Sequence, residues 1–359
     1  MSLSLARSAR TKRAFIGLFA AFSLAHCATL QVDILRSGSQ RPSQVAAYFT
    51  LERLATRTGV GGLPVERFSV LEDGNAISPN ESRATLLDPM TVAAHHTIVL
   101  VDASGTVSRA GFLPAVAQGV RTFLERIGER QHVSVYAFDG ESTLRLVGVQ
   151  GAPAQVAASL GDLATLAPRD SSTNLHGAVI LGMQQLDRDL ANAPQPLKFG
   201  TLVVLTASRD IAHRMTASSM SDAVTASSHT IYAAGVGPDT DVQTLRSVGR
   251  TDHFYNADPE QVSAVLTPIA DRISGRAARH YFLSYCSPSR ADRHRVRIEA
   301  REESGAFGGA EFELDATGFR TGCDAARVPD WVPAVATPAA PTPAPSATPA
   351  APPSADAVP

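Results

Sequence analysis

Three oxygen-bearing side chains, Asp102, Ser104 and Thr106, alternate in the stretch VLVDASGTVS, where an apolar run breaks into small polar residues. One carboxylate and two hydroxyls on a single turn have two chemistries open to them. They can offer hard oxygens to a divalent cation such as Mg2+ or Mn2+, which takes about six such ligands. They can equally cap the backbone amides of their own loops. The same oxygen-rich texture returns in DSSTNLHG, with Asp170 and Thr173, and in LTASRD, with Thr206, Ala207, Ser208 and Asp210.

Catalytic patterns are missing from the sequence. No HExxH, GxSxG or CxxC occurs, and the ten histidines are dispersed. A Ser–His–Asp constellation stays open, because those residues are abundant, but the reading is of a non-catalytic chain rather than a hydrolase. The His95–His96 pair stands before the first long apolar strand and reads as a linker feature. FDG at 138–140 reads as a hairpin turn and GVGP at 235–238 as the loop ending a strand; neither has the context of a nucleotide site.

The elements that must position these loops are legible. TIVLVDAS, HVSVYAFDG, TLVVLTAS and TIYAAGVG are strands apolar on both faces. Helical segments separate several of them; in AGFLPAVAQGVRTFLERIGE, Phe112, Val116, Val120, Phe123 and Ile127 recur at helical spacing. Such alternation predicts a doubly wound α/β fold over residues 93–275, with a mainly parallel sheet covered on both sides. Sheets of this kind place ligands at the carboxyl ends of their strands, where DASGT falls.

In this setting IVLVDASGTVS resembles the first strand and Asp-x-Ser-x-Ser metal loop of the von Willebrand factor A (VWA) domain. DSSTNLHGAVILGM is similar to its second loop, where a Thr opens a helix, and GTLVVLTASRD to its fourth strand. TIYAAGVGPDTDVQTLRSVGRTDHFYNADPEQV is similar to its closing strand–helix segment, so the likeness runs over about 180 residues in order. It implies that Ser104, Thr106 and Thr173 supply hydroxyls to Mg2+ or Mn2+ while Asp102 supplies the first acid. Thr106 in place of Ser keeps the oxygen. Ala207 is the serious departure, because the family commonly has Thr-Asp-Gly where this chain has Thr206-Ala207-Ser208. With the second acid gone, the resemblance implies a degenerate metal-ion-dependent adhesion site, with Asp170 and Asp210 as the nearest acids in sequence. The function it implies is recognition of a protein partner; a metal-independent structural scaffold of the envelope is the alternative.

Residues 28–92 and 280–325 have a different texture, with short alternating runs broken by turns, as in HRVRIEA. They resemble segments beside the A domain in bacterial secreted proteins, which predicts one β-sandwich built by both flanks and interrupted by the α/β unit.

The two ends speak of location. Arg7, Arg10, Lys12 and Arg13 precede an apolar run of about a dozen residues, the layout of a signal peptide over residues 1–27. The run ends at LAHC, which resembles a bacterial lipobox with His26 as a departure. Lipidation at Cys27 would anchor the chain to a membrane; ordinary cleavage nearby is the other reading. With Cys27 set aside, Cys286 and Cys323 form an even pair in an oxidising compartment, and their disulfide would contribute ~3–4 kcal/mol. Residues 332–359 hold nine prolines and one charge, an extended tail that buries no core. With 32 basic and 34 acidic residues and no basic stripe, nucleic acid is not an expected partner.

Overall fold

A computed structural model of the chain describes residues 29–332. The signal peptide, Cys27 and the tail beyond Val332 lie outside the described residues. The N-terminal part holds β1 (Leu30–Gln40), β2 (Gln44–Arg53), β3 (Phe68–Glu72), β4 (Asn75–Ala76), the one-turn helix α1 (Pro79–Ser82) and β5 (Thr85–Leu87). The middle runs β6 (Ala93–Asp102), α2 (Gly105–Arg109), α3 (Leu113–Arg126), β7 (His132–Phe138), β8 (Arg145–Gly151), α4 (Pro153–Ser159) and α5 (Leu175–Asn192). It continues through β9 (Leu197–Thr206), α6 (Ala217–Ala226), β10 (Thr230–Val236), α7 (Val242–Val248), β11 (Asp252–Asn256) and α8 (Val262–Ala278). The chain then adds β12 (His280–Cys286), β13 (Arg293–Arg301) and β14 (Phe307–Asp315).

The middle strands form a six-stranded sheet in the order β11-β10-β9-β6-β7-β8, parallel except for the edge strand β8. Strand side chains alternate between faces, and β6 shows it directly. Val99 and Val101 enter the core under α3 and α8, whereas Ile98 and Leu100 enter the core under α5. The periodic face of α3 is where its spacing places it, with Val116, Val120, Phe123 and Ile127 buried. The fold is doubly wound α/β, as the sequence predicts.

The flanks meet. In one sheet, ordered β1-β2-β12-β5, strand β2 pairs antiparallel with β12 from the far end of the chain. In the other, β14-β13-β3-β4, strand β3 pairs antiparallel with β13. Phe49, Leu51 and Leu283 of the first sheet share one core with Val70, Val296 and Ile298 of the second, which makes the pair a sandwich. Cys286 and Cys323 form the expected disulfide, tying the end of β12 to the C-terminal segment.

The outer face of the first sheet, carrying Ala46, Tyr48 and Phe282, packs against Ala93, Leu197 and Phe199. The sandwich therefore sits under the amino ends of β6 and β9, and their carboxyl ends are left to the loops. One expectation is corrected here: His95 and His96 are not linker residues but lie inside β6, which pairs with β9 from Ala93 onward. The strand begins earlier than its apolar run because its first residues face the sandwich instead of a helix layer.

Candidate functional site at the strand ends

Three loops converge at the carboxyl ends of β6 and β9. The first follows Asp102 into α2, the second runs through Asp170–Asn174 into α5, and the third leaves Thr206 toward α6. Backbone bonds stitch them together: Gly105 N–H donates to Ser171 O (3.1 Å), and Ile211 and Ala212 N–H both donate to Thr173 O (2.9 Å each). Glycine is required at 105, where a Cβ would stand 2.8 Å from Ser171 O. Asn174 caps α5 by accepting from Gly177 N–H (3.1 Å).

Asp102 is the centre, 2 % exposed. Its Oδ1 accepts from Ser104 N–H (2.9 Å). Its Oδ2 accepts from the Thr206 hydroxyl (2.8 Å), Ala207 N–H (3.3 Å) and the Ser208 hydroxyl. The Ser208 oxygen also stands 3.1 Å from Thr173 Oγ1 and 3.4 Å from Ser104 Oγ. The structure thus brings Asp102, Ser104 and Thr173 together, through a residue to which the sequence reading gave no role. Its signal was a hydroxyl two residues beyond Thr206, adjacent to the missing acid at Ala207. Thr106 is half-buried in the first turn of α2, and its hydroxyl does not join this network.

Asp102 is engaged by protein donors, one on Oδ1 and three on Oδ2. An ionised carboxylate offers about four lone-pair positions, and four protein donors converge on Asp102. The Ser208 hydroxyl stands among the same oxygens that would have to turn toward an ion. The two nearby acids do not supply the missing charge. Asp210 is buried and accepts from His176 N–H and His213 N–H (2.9 Å each), which fixes the third loop. Asp170 accepts from Ser172 N–H (2.9 Å) and the Ser172 hydroxyl (2.7 Å), and pairs with Arg214 (3.0 Å). Those bonds, the Ser172 amide first, lower its pKa. Among the described residues, no three His, Cys, Asp or Glu side chains cluster as metal ligands would.

Above the network the third loop presents a different surface. Its underside is held by Asp210 and Thr173 O, and its outer side shows Ile211 at 49 % and Met215 at 39 % exposure, with Arg209 also exposed.

The sheet order and the three-loop arrangement define the middle of the chain as a VWA-like fold, with flanking β segments. Comparison with solved structures finds similar chains. One is a von Willebrand factor type A protein from Catenulispora acidiphila, 12 % identical, covering 80 % of this chain and 73 % of that one at a TM-score of 0.43. Another is the pilus adhesin SpaC from Lactobacillus rhamnosus GG, 11 % identical over 80 % of this chain and 47 % of that one, TM-score 0.42. A third is proximal thread matrix protein 1 from the mussel byssus with a zinc-occupied MIDAS motif, 15 % identical over 57 % and 49 %, TM-score 0.40. The chain spans about half the length of the last two. No protein-family model and no curated protein matches the chain.

Proposed function

We propose that this is a non-catalytic binding protein of the cell envelope, whose strand-end face meets a protein partner without a bound cation. The observation that carries the reading is the third loop. Two large apolar side chains, Ile211 and Met215, are exposed on a loop whose backbone is fastened from below, an arrangement that suits a recognition surface. Fastening removes the entropy that a mobile loop would lose on association. The hydroxyl–carboxylate network beneath acts as a support, holding three loops in one shape.

Export is supported by the charged-then-apolar N-terminal pattern and by the disulfide, which suits an oxidising compartment. No helix among the described residues is long and apolar enough to cross a membrane; lipid at Cys27 is the attachment this reading proposes. Mass spectrometry of the mature N-terminus tests that point: a diacylated peptide beginning at Cys27 supports it, and an unmodified peptide beginning elsewhere removes it.

The binding claim is tested by a photo-crosslinking residue placed at position 211 or, as a control, at exposed Leu35 of the sandwich. With envelope extract in EDTA, the reading expects one discrete adduct from position 211 and none from position 35. Equal labelling from both positions, or an adduct that requires added divalent metal, contradicts it.

A further inference from the structure

A cavity of about 400 Å3 lies at the opposite end of the sheet, below the starts of β9 and β10 and beside the joint between α8 and β12. From His95 to Asp102 along β6 is about 23 Å at the usual rise per residue, so it is a separate place from the strand-end network. One wall is aromatic: His95 stacks on Phe199 (ring centroids 4.8 Å), and the His280 ring meets both at 4.8 and 5.0 Å.

Its polar groups are left incomplete. His280, Gln131 and His95 line the cavity and are 4 %, 5 % and 7 % exposed. His280 Nδ1 and Arg279 Nε have no hydrogen-bond partner. Gln131 accepts from the Thr97 hydroxyl through Oε1 (2.9 Å), and no described group pairs with its amide nitrogen. Buried polar groups are nearly always paired, so several such atoms around one cavity call for something to fill it.

The charge around the cavity selects the filler. Arg276 and Lys198 border it from its exposed side, and neither has a carboxylate partner among the described residues. Arg279 also borders it, with one guanidinium nitrogen taken by Glu52. The bordering acid, Asp187, is paired with His229 (2.7 Å). Burial first, and then His95 and the arginines at 279, 276 and 130, hold the His280 pKa down at about 2. Its imidazole is neutral and keeps an N–H to donate.

We propose that this cavity binds a small ring-bearing carboxylate. The carboxylate faces Arg276 and the Gln131 amide, and the ring lies against Phe199, His95 and His280. Two cations without acid partners, Arg276 and Lys198, suit an anion, and the ring wall rather than the charge count favours a ring-bearing carboxylate over inorganic phosphate. The wall of rings and the volume leave room for a body larger than a bare anion.

The test is calorimetric titration of the full protein with benzoate, benzamide and inorganic phosphate. Saturable benzoate binding, with benzamide and phosphate each at least about tenfold weaker, is expected from a charge-assisted contact. Arg276→Gln and Gln131→Leu should each weaken benzoate about tenfold with the near-UV circular dichroism unchanged, and Leu35→Ser, at an exposed position of the sandwich, should leave it unaltered. No saturable benzoate binding, equal binding of benzamide, tighter binding of phosphate, or full affinity in both cavity variants would overturn the proposal.

Discussion

The two ends of β6 solve the same problem in opposite ways. At its carboxyl end a buried carboxylate gathers Ser104 N–H, Thr206 hydroxyl, Ala207 N–H and Ser208 hydroxyl, and the loops close over it. At its amino end His95, with His280 and Gln131, is as deeply buried, yet polar atoms there stay unpaired around a cavity. Loops of one domain have packed on one another above, whereas a sandwich made of distant chain segments has docked below. The difference teaches what burial of polar groups signals. Where every partner is internal it signals a rigid support; where partners are absent it signals a place for something else.

The largest blow to the closed end is Asp102→Ala. It strands four donors in a buried place, each costing about 1–3 kcal/mol when unsatisfied. Urea denaturation should show a loss of about 4 kcal/mol, and Asp102→Asn, which keeps one acceptor oxygen, a smaller one. A loss under about 1 kcal/mol for the alanine variant would show that the donors readily find other partners, and the contrast between the two ends would fail.

Acid probes the open end. Burial first, then Arg130 and His96, holds the His95 pKa at about 4; His280 stands at about 2, with Arg130, Arg276, Arg279 and Tyr48 around it. Imidazoles of the unfolded chain titrate near 6.5, so below that pH the unfolded chain binds the extra protons. This contribution is fully present above about pH 6.5 and is lost as pH falls toward the folded values. The two histidines together should cost about 2–3 kcal/mol by pH 4, discounted from the full shifts for their mutual repulsion. The double variant His95→Phe/His280→Phe should flatten the stability profile between pH 6.5 and 4. An unchanged slope would mean that other groups carry the acid sensitivity.

Much of this was legible in the residues. Both-face apolar strands and the spacing of Val116, Val120 and Phe123 specified the α/β layers, because parallel sheets and amphipathic helices leave strong local patterns. Texture marked the flanks as β, with the alternation in HRVRIEARE marking β13 plainly, and their pairing was suggested by resemblance to segments beside the A domain in bacterial secreted proteins. The edge strand β8 was illegible. Leu146 and Val149 are exposed, and Gly148 takes a positive φ where its pairing with β7 turns irregular. Asp102 and Ser104 were singled out by their spacing, and Thr173 by the resemblance of its loop to that of a VWA domain. Ser208 was not, because its role depends on three loops meeting and not on any local pattern. The histidine junction was missed for the same reason: His95 and His280 are 185 positions apart and meet only when the sandwich docks.

The smallest effect on stability, and the sharpest on function, should come from the exposed rim. Ile211→Asp and Met215→Asp remove no buried contact, so unfolding free energy should stay within about 0.5 kcal/mol of the parent. Cross-linking from position 209 in that double variant should nonetheless disappear. Retained cross-linking would move the partner surface away from the third loop.

The central claim is that the Ser208 hydroxyl, and not a cation, completes the strand-end network. It is tested most directly by thermal unfolding in Mn2+ or EDTA for the parent chain and for Ala207→Asp/Ser208→Gly. That double variant adds a carboxylate and clears the hydroxyl from among Asp102, Ser104 and Thr173. The account predicts no Mn2+-dependent change for the parent and a saturable rise for the variant, about 2.7 kcal/mol at a hundredfold excess over Kd. A saturable rise for the parent, abolished by Asp102→Ala, would contradict it.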